Sequence, residues 1–150
     1  MQNPEILTTD EFNHQQFRPH GRAEFARDGQ VLVCEAIGPF NKELVDAVVG
    51  VKAGIISDLI RRGKWGVVIA IRKSALASSE VLAAFTAHLR QLVDAGVASS
   101  AAAMVISRDV EGWSLMPQLF VKVYADAGLN LAVFENVGDA KAWVASQLLQ

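Results

Sequence analysis

The sequence predicts an α/β domain with a mixed, mostly parallel sheet, and three observations carry the prediction. Short apolar runs at Trp65 to Ile71, Ala101 to Ser107 and Leu131 to Phe134 have the length and the Val, Ile and Ala content of buried strands. Each is followed by a stretch whose apolar residues recur at helical spacing, the alternation that builds parallel strands joined by crossover helices. Ahead of them, an Asp28-Gly29 pair separates two strand-like runs and predicts a hairpin.

Residues 1–20 are polar, contain Pro4 and Pro19, and read as an N-terminal extension to a domain spanning residues 21–150. Within the extension, Thr8 and Glu11 have capping-box spacing, which predicts a short helix through Phe17. His14 and His20 lack a thiol or carboxylate at metal-ligand spacing and read as surface residues. The hairpin pairs Ala23 to Arg27 with Val31 to Ile37, placing its first strand antiparallel at a sheet edge. Asn41 then caps a helix running to Arg62, with Leu44, Val48, Val51, Ile55 and Leu59 on its apolar face. Gly50 and Gly54 inside that helix are costly there and suggest close packing against a neighbour.

After the central strand, Ser78 and Ser79 open a second helix ending near Ala95 and Gly96. Its apolar side is Val81, Leu82, Phe85, Leu89 and Leu92 or Val93, with His88 and Arg90 facing away or at the margin. A third helix starts near Ser114, where Pro117 falls in the first turn, and presents Trp113, Met116, Phe120, Val123 and Tyr124. That face holds more large side chains than one buried stripe needs, which points to a homodimer. Asp139 to Leu149 forms a final helix burying Ala140, Trp143, Val144 and Leu148. The result is a sheet with one antiparallel edge strand and about four helices, connected by right-handed crossovers.

Composition narrows the function classes. The 150 residues are 51% hydrophobic, with 16 acidic and 14 basic side chains and a net charge of -2. Such a chain has no long-range field for nucleic acid. The apolar stretches are interrupted before the length of a membrane span, and no signal segment opens the sequence, so a cytoplasmic protein without an integral membrane segment is expected. The single cysteine, Cys34, lies in an apolar run and reads as a buried structural thiol. No Gly-rich phosphate loop and no Gly-x-Ser-x-Gly elbow is present, so neither a cofactor nor a catalytic centre is expected.

The order of elements resembles the STAS domains with the SpoIIAA-like fold, and more closely the bacterial STAS-like proteins of poorly defined function. The junctions that carry the resemblance are Gly38-Pro39-Phe40-Asn41 leading into the first long helix and Val133-Phe134-Glu135-Asn136 leading into the terminal one. The resemblance covers Gly21 to Leu149 and implies a non-catalytic regulatory or protein-interaction domain. The related CRAL/TRIO lipid-transfer proteins imply the alternative, a carrier or sensor for a small anionic or lipid-like ligand. In the anti-sigma-factor antagonists of the STAS family, a strand Asp and an Asp-Ser-Ser-Gly segment surround a phosphorylated serine. Here Ala70, Ser78, Ser79, Glu80 and Val81 occupy those places, and the serine alone matches. Ser79 is thereby the candidate phosphoacceptor, with Arg72 and Lys73 available to pair with a phosphate.

Independently of any family, Arg72, Lys73 and Arg108 follow two strands expected to be neighbours, beside helix N-termini that attract anions. With Ser74 and Ser78 they form a candidate anion- or ligand-binding mouth; the alternative is a solvated loop edge with Arg108 paired to Asp109 or Glu111. Trp65, Trp113 and Trp143 are expected in the core.

Overall fold

The computed structural model describes residues 6–9 and 21–150. In chain order the elements are β1 (Leu7–Thr8), β2 (Arg22–Asp28), β3 (Val31–Ile37), α1 (Lys42–Arg62), β4 (Gly66–Arg72), α2 (Ser79–Asp94), β5 (Ala101–Val105), α3 (Met116–Asp126), β6 (Ala132–Phe134) and α4 (Val137–Leu148). The strands form a six-stranded sheet in sequential order from β1 to β6. β1, β2 and β3 pair antiparallel, and β3 to β6 pair parallel. This is the mixed α/β sheet with four helices that the sequence predicts.

Sequential order follows from crossovers that each step one strand in the same direction. Right-handed connections of that kind put α1, α2 and α3 on one face. Strand alternation then divides the core in two. Leu32, Cys34, Val67, Ile71 and Met104 join the cluster beneath α1 to α3, while Val68, Ala101, Ala103 and Val105 pack with Ala140 and Val144 of α4 on the other face.

Local chemistry explains the element ends. The β2–β3 loop consists of Gly29 and Gln30, closed by the Asp28–Val31 pair. Gly29 has φ 60°, the positive value a first loop position can require, so the loop sits one residue later than the Asp-Gly pair suggests. Asn41 accepts the Leu44 N–H at 3.0 Å and Ser78 the Val81 N–H at 3.3 Å, capping α1 and α2. Pro117 lies in the first turn of α3, where no helix hydrogen bond is lost.

Two expectations need correction. The first hairpin strand is not the sheet edge, because Leu7 and Thr8 pair with Phe25 and Glu24 outside it. Thr8 is therefore a strand residue, and Thr9 accepts the Ala23 N–H at 3.1 Å. A two-residue strand is too short to show a period of two. The helix expected through Phe17, with His14 and His20, lies outside the described residues. Gly50 and Gly54 face solvent, and a Cβ on Gly54 would meet nothing within 4 Å. The close approach occurs instead at Gly66, where a Cβ would lie 2.4 Å from Val144 Cγ1.

Candidate functional site

The basic residues singled out at the strand ends sit on the protein's exterior and turn away from one another. Arg72 leans toward β3 and pairs with Glu35 at 2.8 Å. Arg108 leans toward β6, pairs with Glu135 at 3.5 Å and stacks 5.7 Å over the Trp113 ring. Neither pairs with Asp109 or Glu111. Ser74 is buried and fastens two loops together: its hydroxyl donates to Glu111 Oε1 at 2.7 Å and accepts the Leu76 N–H at 3.2 Å. Lys73 is exposed with φ 64°, a left-handed backbone held on either side by these loop bonds and by the Glu111 N–H donating to the Lys73 carbonyl at 2.9 Å. Ser78 is occupied as the α2 cap, and Ser79 stands exposed in the first helical turn.

A concavity lies elsewhere, between the sheet and helices α1 and α2. Its floor is the row Cys34, Ile69 and Met104, which are register neighbours on β3, β4 and β5. Ile69 is at the centre of the sheet yet only half-buried, because the helices do not close over it. The reason is side-chain size: Ala23, Ala36 and Ala98 on the sheet side meet Val45, Val48 and Val49 of α1, and short chains on both sides leave a cavity of about 120 Å³. Protein interiors seldom keep voids larger than a water molecule.

Cys34 on β3, Lys52 on α1, His88 on α2, Tyr124 on α3 and Ser99, ahead of β5, are polar residues lining this largely apolar space. His88 is only 8% exposed, and its Nε2 has no hydrogen-bond partner. Burial pushes its pKa down to about 4, and the nearby Lys52 charge acts in the same direction, so at neutral pH the imidazole is uncharged. Burial likewise lowers the Lys52 ammonium to about 8, leaving it mostly protonated at pH 7. Among the described residues no carboxylate pairs with Lys52. Cys34 is pushed up to about 12 by burial, with Lys52 opposing and Glu35 reinforcing that shift, so it is a neutral thiol. Tyr124 is raised for the same principal reason, burial, and its hydroxyl stays protonated. Among the described residues lining it, the cavity therefore carries the positive charge of Lys52 and no balancing negative one.

The sequence reading missed two of these residues. His88, expected to face away from the core or at its margin, is buried because it lies at helical spacing from Val81, Phe85 and Leu92 on the apolar face. Lys52 continues the Val45, Val48, Val49 stripe one turn on and was legible by the same spacing. Cys34 is buried as expected. Of the tryptophans, Trp65 is in the core and donates Nε1–H to the Val97 carbonyl at 3.3 Å, and Trp143 packs on Phe134 at 5.8 Å. Trp113 is a correction: it precedes α3 and is 45% exposed, whereas Met116, Phe120, Val123 and Tyr124 fit within one buried face.

Among the described residues no cluster of His, Cys, Asp and Glu could hold a metal ion, and no helix is long and apolar enough to cross a membrane. Comparison with family models, curated proteins and solved structures finds no match.

Proposed function

We propose that this chain is a non-catalytic binding domain, a carrier or sensor that takes a small, largely apolar ligand into the cavity between the sheet and helices α1 and α2. The observation that supports this reading is the cavity itself, about 120 Å³ at the centre of the sheet, walled by apolar side chains on β3, β4, β5, α1 and α2. A buried apolar space of about 150 Å³ is enough to bind benzene. The reading agrees with the carrier function implied by the CRAL/TRIO resemblance, and a cytoplasmic location is proposed with it. The ligand enters past Val45, Val49, Leu82 and Phe85, which are partly exposed at the cavity margin.

Native mass spectrometry of the full chain tests the reading. The expected result is a bound molecule of low mass, and a rise in thermal midpoint when the emptied protein meets hexanol or benzene. A protein that purifies empty and whose midpoint neither compound moves contradicts it.

A second reading, the STAS-like interaction domain, is favoured by an exposed apolar patch. Leu76 and Leu115 are 39% and 53% exposed and, with Trp113, lie on two loops joined at Ser74 and Glu111. In this reading a protein partner or a second copy covers the patch, and phosphorylation of the neighbouring Ser79 alters the contact. Ser79→Asp then changes complex formation in a pull-down or in sedimentation; identical complexes from both proteins count against it.

A further inference from the structure

The cavity's polar groups specify more than an apolar occupant. Lys52 on α1 and His88 on α2 enter the same space from its two helical walls, close enough for the charge of one to be felt at the other. His88 Nε2 is orphaned in a side chain that is 8% exposed, and a buried polar atom without a partner costs free energy until something supplies one. Lys52 has no carboxylate partner among the described residues. Lys52 and His88 thus line one apolar space together, and Tyr124 of α3 lines it as well.

We propose that the ligand is a monocarboxylic acid with a compact apolar body, its carboxylate held by the Lys52 ammonium and the His88 imidazole N–H and its hydrocarbon lying on Cys34, Ile69 and Met104. The inference rests on the cavity reading above and deepens it by naming the ligand's class. One carboxylate answers both deficits at once: it balances the Lys52 ammonium, and it accepts a hydrogen bond from the Nε2–H tautomer of His88. A dianion is disfavoured because a second negative charge has no partner there, and an amine because it faces Lys52 with like charge. A cavity slightly smaller than one that holds benzene sets the body at about six carbon atoms.

The test is calorimetric titration of the full chain at pH 7 with three six-carbon probes: hexanoate, hexanol and hexylamine. Hexanoate is expected to bind at least tenfold more tightly than hexanol, and hexylamine most weakly. In Lys52→Met the hexanoate preference disappears while hexanol binding persists; in Lys52→Arg the preference is retained. The inference is overturned if the wild-type protein binds hexanol as tightly as hexanoate, a comparison that needs no variant to fold. It is also overturned if Lys52→Met keeps the preference. Binding of hexanol without that preference leaves the cavity reading standing alone, whereas binding of none of the three removes both.

Discussion

The two faces of the sheet are packed to different standards. Beneath α4, Val68, Ala103, Ala140 and Val144 are fully buried, and Gly66 brings the backbone so close to Val144 that no Cβ fits between them. Across the same strands, Ile69 remains half-buried over a cavity of about 120 Å³ that contains a lysine and an orphaned histidine. Small residues produce both outcomes. On the α4 side Gly66, Ala101 and Ala103 let the helix settle onto the sheet. On the other side Ala23 and Ala36 lie under the short valines of α1, and neither layer reaches across. A chain able to pack α4 so closely onto Gly66 and Val68 has no general packing defect, so the cavity on the other face is specific to that side.

The contrast is most readily broken on the closed face. Gly66→Val forces side-chain atoms into Val144 and the Ala101 carbonyl, 2.4 and 3.2 Å from the new Cβ. It is expected to cost about 1–3 kcal/mol or more, measured as a lower urea midpoint. An unchanged midpoint shows that the α4 face has slack. On the open face, enlargement has the opposite sign: Ala36→Val adds two methyl groups toward the cavity and is expected to stabilise the empty protein by up to about 1.5 kcal/mol. Destabilisation comparable to Gly66→Val would mean that both faces are closed.

Acid sharpens the comparison further. Unfolded histidine takes up a proton near pH 6.5, whereas His88 in the folded protein does so near 4. The unfolded state therefore holds more protons within that window, and stability falls as pH drops through it. Lys52, Cys34 and Tyr124, which line the same cavity, stay protonated throughout. His88→Leu is expected to be at least as stable as wild type at pH 7 and to lose less stability between pH 6.5 and 4. Parallel curves for the two proteins contradict the buried, unpaired imidazole. The smallest effect belongs to the strand-end basic residues. Arg72→Ala removes an exposed ion pair with Glu35, expected to be worth no more than about 1 kcal/mol, and leaves hexanoate affinity unchanged in the same titration.

Most of the fold was legible in the sequence because periodicity and caps carry it. The spacing of Leu44, Val48 and Val51 and the capping residues Asn41 and Ser78 gave α1 and the start of α2. β1 was not legible, since two residues cannot display a pattern and their pairing with β2 is a tertiary event. The site was misplaced for a related reason. Exposed Arg and Lys at strand ends attract attention as charges, but Arg72 and Arg108 are satisfied by Glu35 and Glu135. His88 and Lys52 lie on apolar helix faces, where residue type argues for solvent and helical position argues for burial; position prevails fully at His88 and in part at Lys52, which is half-buried. The cavity arises from side chains on separate elements that fall short of one another, a quantity no single stretch of sequence contains.

The most direct measurement is a carbon-13 methyl spectrum of the full chain titrated with hexanoate. Shifts at the methyl groups of Ile69, Met104 and Val48, with those of Val68 and Val144 across the sheet unmoved, are the expected result. Shifts confined to Leu76 and Leu115, or no shifts at all, contradict a ligand site between the sheet and helices α1 and α2.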